Sequence, residues 1–310
     1  MTVAVIDIGT NTILLLIAAI RPDGTVVPIL HEQRIPRLGK GVDARMVLHA
    51  DSMRRAVDVL KEFRGLIESH NPDRTVVCGT SAIRDAGNRA EFLRLVSETS
   101  GFAVEVLGGE DEALWTYRGA ISGIPEIGRA TVIDVGGGST EITVGEIHSL
   151  RASVSLDIGS VRLTERHFLH DPPLPREILE ARDAVRGFLE ETAGFPLRGT
   201  TAVAVAGTAT TLALLWQGLK RFDVKAVTDV RMPFRAVDHL FRTLSSMPSQ
   251  MIRDLSDVME GRADVITAGA LILSEVMQHA GFDEVVVSER GVRYGLALRE
   301  WERGSPAGHG

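Results

Sequence analysis

Two segments of this chain carry the same pattern, 127 residues apart. The first runs Thr2-Val3-Ala4-Val5-Ile6 into Asp7-Ile8-Gly9-Thr10-Asn11-Thr12 and on into the apolar stretch Ile13 to Ile20. The second runs Ala130-Thr131-Val132-Ile133 into Asp134-Val135-Gly136-Gly137-Gly138-Ser139-Thr140 and on into Glu141-Ile142-Thr143-Val144-Gly145. In each, an apolar run reads as a buried strand and the Gly/Asn/Ser cluster as the turn of a hairpin. Repeats of roughly 20–50 residues make solenoids. A repeat at domain scale instead implies two related lobes, each opening with a strand, an aspartate and a glycine turn.

Helix and strand patterns alternate around these hairpins. Asp51 to Ser69 places Met53, Val57, Leu60, Phe63, Leu66 and Ile67 at helical spacing and stops before Pro72. Thr75 to Cys78 and Val104 to Leu107 read as short strands, and Arg89 to Ser100 as a helix closed by Gly101, with another helix starting near Glu110. In the second half, Pro175 to Ala193, Ala236 to Ser245, Arg262 to Gln278 and Gly291 to Arg303 read as helices. Ala202 to Ala206 and Val285 to Ser288 read as strands, and the tail from Gly304 as disordered. Strands alternating with helices indicate an α/β architecture. The expected division is an N-terminal lobe of residues 1–122 completed by 289–310, and a second lobe of residues 123–288.

Composition narrows the function. The longest apolar run, Ile13 to Ile20, is far shorter than the roughly 20 residues of a membrane span, and no basic stretch precedes an apolar run at the N-terminus. A single cysteine, Cys78, excludes an internal disulfide and a multi-cysteine zinc site. A cytoplasmic protein with no membrane partner is expected. The net charge of -7 argues against a general nucleic-acid surface, yet leaves room for a polyanion held in a local basic cleft. Only four of the 34 basic residues are lysine, so guanidinium groups dominate, and these grip phosphate bidentately.

The aspartate turns are the strongest chemical candidates. A carboxylate at a strand end, beside free backbone N–H groups of a Gly/Ser/Thr-rich turn, suits phosphate oxygens and Mg²⁺. This applies to Asp7 with Thr10 and Asn11, and to Asp134 with Gly136, Gly137, Gly138 and Ser139. Neither turn is a Walker loop or a dinucleotide fingerprint. Glu141 points from its strand to the face opposite Thr140 and Ile142. Glu112 stands in an acidic first helical turn, Glu110-Asp111-Glu112, that also reads as capping. Arg84 follows a strand where a guanidinium could fork onto a phosphate, and Arg37-Leu38-Gly39-Lys40-Gly41 is a second basic, glycine-spaced loop.

Taken in order, these motifs resemble the Ppx/GppA phosphatases, which are exopolyphosphatases and guanosine pentaphosphate phosphohydrolases. The resemblance also rests on Thr80 to Asn88, Glu112-Ala113, Leu156 to Thr164, Ala206-Gly207-Thr208 and Arg262 to Ile266. It implies two duplicated actin-like ATPase (ribonuclease H-like) domains around a central cleft. It implies release of terminal orthophosphate from inorganic polyphosphate, and from guanosine pentaphosphate, with Mg²⁺ or Mn²⁺ as cofactor. By resemblance Glu112 is the carboxylate that activates water, although Glu141 could serve instead. Asp134 is a further catalytic acid, and Asp7, Asp134 and Glu141 are the metal ligands. Arg84, Thr10, Asn11, the Gly136 to Ser139 turn, Gly207 and Thr208 are the phosphate ligands. A homodimer is the default assembly. The rival readings are a kinase-like ATPase of the same superfamily and a non-catalytic sensor of polyphosphate or guanosine alarmones.

Overall fold

The fold was described from a computed structural model, which covers residues 1–42, 46–124, 127–147 and 149–304. The expected disorder of the tail beyond Gly304 lies outside these residues. The chain forms two compact units, Met1–Ser122 with the segment from Gly291, and Gly123–Arg290.

In the first unit, β1 (Thr2–Ile8), β2 (Ile13–Ile20), β3 (Val26–Arg34), β4 (Arg74–Gly79) and β5 (Val104–Val106) form a sheet in the order β3-β2-β1-β4-β5. Side chains alternate across the pleat of β1. Ala4, Ile6 and Ile8 meet Phe63 and Leu60 of the helix Ala50–His70 in one core, while Val3 and Val5 join Tyr294, Leu296 and Ala297 of the helix Val292–Gly304 in another. Asp7 therefore continues the Val3 and Val5 face, the one covered by the C-terminal helix. That helix crosses the helix Gly109–Ile121 very closely. A Cβ at Gly295 would lie 1.8 Å from the carbonyl oxygen of Trp115. The crossing thus seats the helix that begins with the acidic turn.

In the second unit, β6 (Arg129–Val135), β7 (Thr140–Glu146), β8 (Ser149–Leu156), β9 (Thr201–Val205), β10 (Val230–Pro233) and β11 (Glu284–Val287) form a sheet in the order β10-β11-β9-β6-β7-β8. The duplication is carried at the level of register. Asp7 faces Leu14 across β1 and β2, and Asp134 faces Glu141 across β6 and β7. Asp7 lies beside Cys78 on the parallel strand β4, and Asp134 beside Val205 on β9. Each of these pairs maps onto the other by the same shift of 127 residues. Both turns close alike, with Gly9 donating to the Thr12 carbonyl and Gly136 to the Ser139 carbonyl at 3.0 Å.

Several elements differ from the sequence expectations. Strands β8 and β10 and the helix Ser160–His167 are not among the elements expected from the sequence, and the structure adds them. The expected helix Arg262 to Gln278 begins only at Ile266, and residues 261–265 form turns before it. The expected helix Pro175 to Ala193 ends at Leu189 and tightens into a 3₁₀ turn over Glu190–Thr192. Among the described residues no helix is long and apolar enough to cross a membrane.

Candidate active site

The first unit brings four of the expected site residues onto neighbouring loops. Of the three acids opening the helix Gly109–Ile121, Glu110 and Asp111 are exposed, whereas Glu112 is only 8% exposed. Arg84, from the short helix Ser81–Asp85 that follows β4, donates to Glu112 Oε2 at 2.8 Å and to the Leu107 carbonyl at 3.1 Å. Its Nε also lies 3.9 Å from Asp85. The two groups read separately in the sequence as a phosphate ligand and a base are thus direct partners. Thr10 is held by its hydroxyl, 3.0 Å from that of Ser81. The loop Arg37–Gly41 closes over the same turn, with Gly39 N donating to Thr10 O at 2.8 Å and Arg37 N to Asn11 O at 3.1 Å. Leu38 is fully buried, so the loop is packed rather than freely solvated.

Asp7 sits apart from that ion pair in chemical setting. Burial pushes its pKa from the usual 3.8 up to about 6, against the opposing field of Arg293 on the C-terminal helix and the Cys78 thiol. The thiol in turn is pushed up by burial and by Asp7, which leaves Cys78 an inert buried group.

The second unit gathers the others. Asp134 and Glu141 face each other directly across the hairpin. Glu141 is 4% exposed and accepts a 2.7 Å hydrogen bond from Ser155 of β8, so it is not a solvent-facing strand glutamate. The Gly136–Ser139 turn is roofed by the start of the helix Ser160–His167. Ser160 N donates to Gly136 O at 2.9 Å, and Val161 N and Arg162 N donate to Gly137 O at 2.9 and 3.1 Å. A Cβ at Gly159 would lie 2.5 Å from the carbonyl of Gly137, so only glycine lets the two backbones meet.

Gly207 and Thr208 open the helix Ala206–Trp216, and Thr208 donates to the Val135 carbonyl at 3.0 Å. Ala206 takes φ +64°, a left-handed conformation that costs a non-glycine residue about 1 kcal/mol or more. Beside it lies Arg262, which the sequence periodicity places at a helix start. A Cβ at Gly207 would fall 1.8 Å from Arg262 Nη1, and burial lowers the pKa of that guanidinium to about 10, still protonated at neutral pH.

Ser155, Ser81, Arg262 and Arg293 were not singled out from the sequence as site residues. Arg262 and Ser81 had a signal, their places in the motifs Arg262 to Ile266 and Thr80 to Asn88. Ser155 lies on the unpredicted strand β8, and Arg293 is read from its contacts alone.

Among the described residues no group of three or more His, Cys, Asp or Glu side chains is placed to hold a metal ion. The Asp134 and Glu141 pair is nonetheless a donor set of the kind Mg²⁺ accepts, which is held by one or two carboxylates together with water and substrate phosphate oxygens. Asp7 belongs to the other unit.

Known proteins resemble this chain in sequence and fold. A profile of the Ppx/GppA phosphatase family matches residues 16–303. Exopolyphosphatase 2 of Mycobacterium tuberculosis is 38% identical over 96% of this chain and 97% of its own length. A guanosine-5'-triphosphate,3'-diphosphate pyrophosphatase of Vibrio cholerae is 28% identical over 94% of this chain and 58% of its own length. The crystal structure of the Aquifex aeolicus Ppx/GppA family member is 32% identical, with a TM-score of 0.82 over 99% of both chains. The α/β sheets with their duplicated hairpins are the two-domain actin-like ATPase fold of these neighbours. With its match running through nearly the whole chain, the protein belongs to the Ppx/GppA phosphatase family.

Proposed function

We propose that this protein hydrolyses terminal phosphoanhydrides, releasing orthophosphate from inorganic polyphosphate and also from guanosine pentaphosphate. The observation that carries the reading is the Arg84 to Glu112 contact of 2.8 Å at the head of a helix seated on the C-terminal helix. It couples a group that binds phosphate to a group that can take a proton. A terminal phosphate arriving at Arg84 competes for the guanidinium and frees the Glu112 carboxylate to take a proton from water. The oxygen of that water forms a bond to the terminal phosphorus as the bridging P–O bond breaks. The remaining chain leaves with one phosphate fewer. Phosphoryl transfer needs charge neutralisation and alignment more than covalent help.

In the second unit, the backbone N–H groups of Gly137, Gly138 and Ser139 and the Thr208 region hold phosphate oxygens, while the N–H of Gly136 closes the turn on the Ser139 carbonyl. Asp134, with Glu141 steadied by Ser155, would hold Mg²⁺ or Mn²⁺, which when bound neutralises charge on those oxygens. Asp7 serves in the first unit as the matching acid of the duplicated hairpin. The name of the mycobacterial relative supports polyphosphate as substrate, and that of the Vibrio relative supports guanosine pentaphosphate.

The test is phosphate release from both substrates with Mg²⁺ present and then chelated, for wild type and Glu112→Gln. Glutamine keeps an acceptor for Arg84 but cannot act as the base. The variant should melt normally, bind substrate with little change and lose about 10²–10⁴-fold in kcat. A near-normal rate would remove Glu112 from the role of base. No release by wild type from either substrate would shift the reading to a kinase or a sensor.

A further inference from the structure

One ion pair beside the phosphate turn is not used by this chemistry. Strand β8 carries Ser155, which holds Glu141, and two residues further on it delivers Asp157. Asp157 Oδ1 lies 3.1 Å from Arg162 Nη1. The aspartate side chain is 75% exposed, while that of the arginine is only 11% exposed. The backbone of the same Arg162 donates to Gly137 O, and Gly159, between the two, lies against Gly137 and Gly138. The pair therefore stands directly on the roof of the turn, with its negative partner outward.

We propose that Asp157 sets the substrate length preference by masking Arg162, so that the protein favours oligophosphates of a few residues over long polyphosphate. The inference rests on the phosphohydrolase reading above. A terminal phosphate in the turn is followed by further anionic groups at every link of the chain. An unmasked arginine beside the turn would grip one of them, because guanidinium groups bind phosphate as bidentate forks. The outward carboxylate cancels that charge and presents its own to the polyanion. Charges within about 10 Å act on one another at 0.1 M salt. The masking therefore bears on the phosphates that follow the terminal one, and long chains supply the most of them.

The experiment compares wild type, Asp157→Asn, Arg162→Gln and the double variant on tripolyphosphate and on polyphosphate of about 45 phosphates, across a salt series. Asp157→Asn is isosteric and exposed, so folding should be unaffected, and melting curves check this. It should lower KM for the long chain about two- to fivefold while changing that for tripolyphosphate little. The slope of log affinity against log salt for the long chain should steepen by about 0.7, the increment of one further phosphate contact on a single-stranded polyanion. Both effects should vanish in the Arg162→Gln background. A loop merely loosened by the substitution would affect both substrates alike. An unchanged KM ratio and salt slope in Asp157→Asn would overturn the proposal. If wild type releases no phosphate, the phosphohydrolase reading fails by itself. The same four proteins are then compared by equilibrium competition with the two unhydrolysed polyphosphates, where an equal ratio in wild type and Asp157→Asn again overturns it.

Discussion

Replacing Gly159 with alanine should damage the phosphate turn while barely touching local conformation. Gly159 has φ -142° and ψ 171°, extended values open to any residue, so the substitution carries no backbone penalty of its own. Its cost is spatial. The new Cβ would lie 2.5 Å from the carbon and oxygen of the Gly137 carbonyl and 2.6 Å from Gly138 N, where ordinary contact begins near 3.4 Å. All three atoms are backbone, so no side chain can swing aside, and the roof and turn must separate by about 1 Å. Overpacking of this kind costs about 1–3 kcal/mol. In a unit of this size that lowers Tm by about 3–10 °C. A misplacement of about 1 Å in a positioned group costs about 10²-fold in rate. Calorimetry together with kcat/KM for phosphate release reads both effects. Gly187→Ala is the control, since that exposed helical glycine has nothing within 4 Å of a built Cβ and should gain about 0.5–1 kcal/mol. Activity of Gly159→Ala within twofold of wild type, at unchanged Tm, would refute the assignment of the Gly136–Ser139 turn as a tightly set cradle.

Two further outcomes follow from buried charge. The folded chain raises the pKa of Asp7 from 3.8 to about 6 and so binds its proton more tightly than the unfolded chain. That stabilisation is complete below about pH 4 and is lost as pH rises through 6. Asp7→Asn has no such loss, so in chelator its stability relative to wild type should improve by about 2–3 kcal/mol between pH 4 and 7.5 in urea unfolding; parallel pH slopes would contradict the burial argument. Gly207→Ala places a Cβ 1.8 Å from Arg262 Nη1 and must displace that guanidinium. Loss of about 1–3 kcal/mol of stability and at least tenfold in kcat/KM is expected, and wild-type values for both would show that Arg262 and Gly207 do not share a site.

The duplication was legible in the sequence because both hairpins combine apolar strands with glycine-containing turns, and those two signals set register as well as fold. The shift of 127 residues read from Asp7 and Asp134 also relates Cys78 to Val205 on the parallel strands. The remaining features lie in weaker or non-local signals. Strand β8 alternates apolar Leu150, Ala152, Val154 and Leu156 with Ser149, Arg151, Ser153 and Ser155 at the sheet edge, a period-2 signal that the reading of the hairpins does not use, and Ser155 goes unnoticed with it. The helical periodicity runs from Arg262, whereas the helix itself begins at Ile266, so Arg262 precedes the helix and stands at the Gly207 turn. The contact of Arg84 with Glu112 joins residues 28 apart through a helix and a strand, a closure that no local periodicity encodes.

The C-terminal helix Val292–Gly304 packs on β1 and completes the first unit, although the whole second unit lies between them in the chain. During synthesis this order matters. Residues 123–290 form a contiguous stretch and can close on themselves as soon as they emerge. The first unit cannot. Val3, Val5, Leu16 and Ala18 stay without their covering helix until roughly 170 more residues have been added, a delay of about 10–30 s at ordinary rates of translation. For that interval the nascent chain presents an apolar sheet face to whatever lies near the ribosome. The placement of one helix thus sets how long that face stays uncovered.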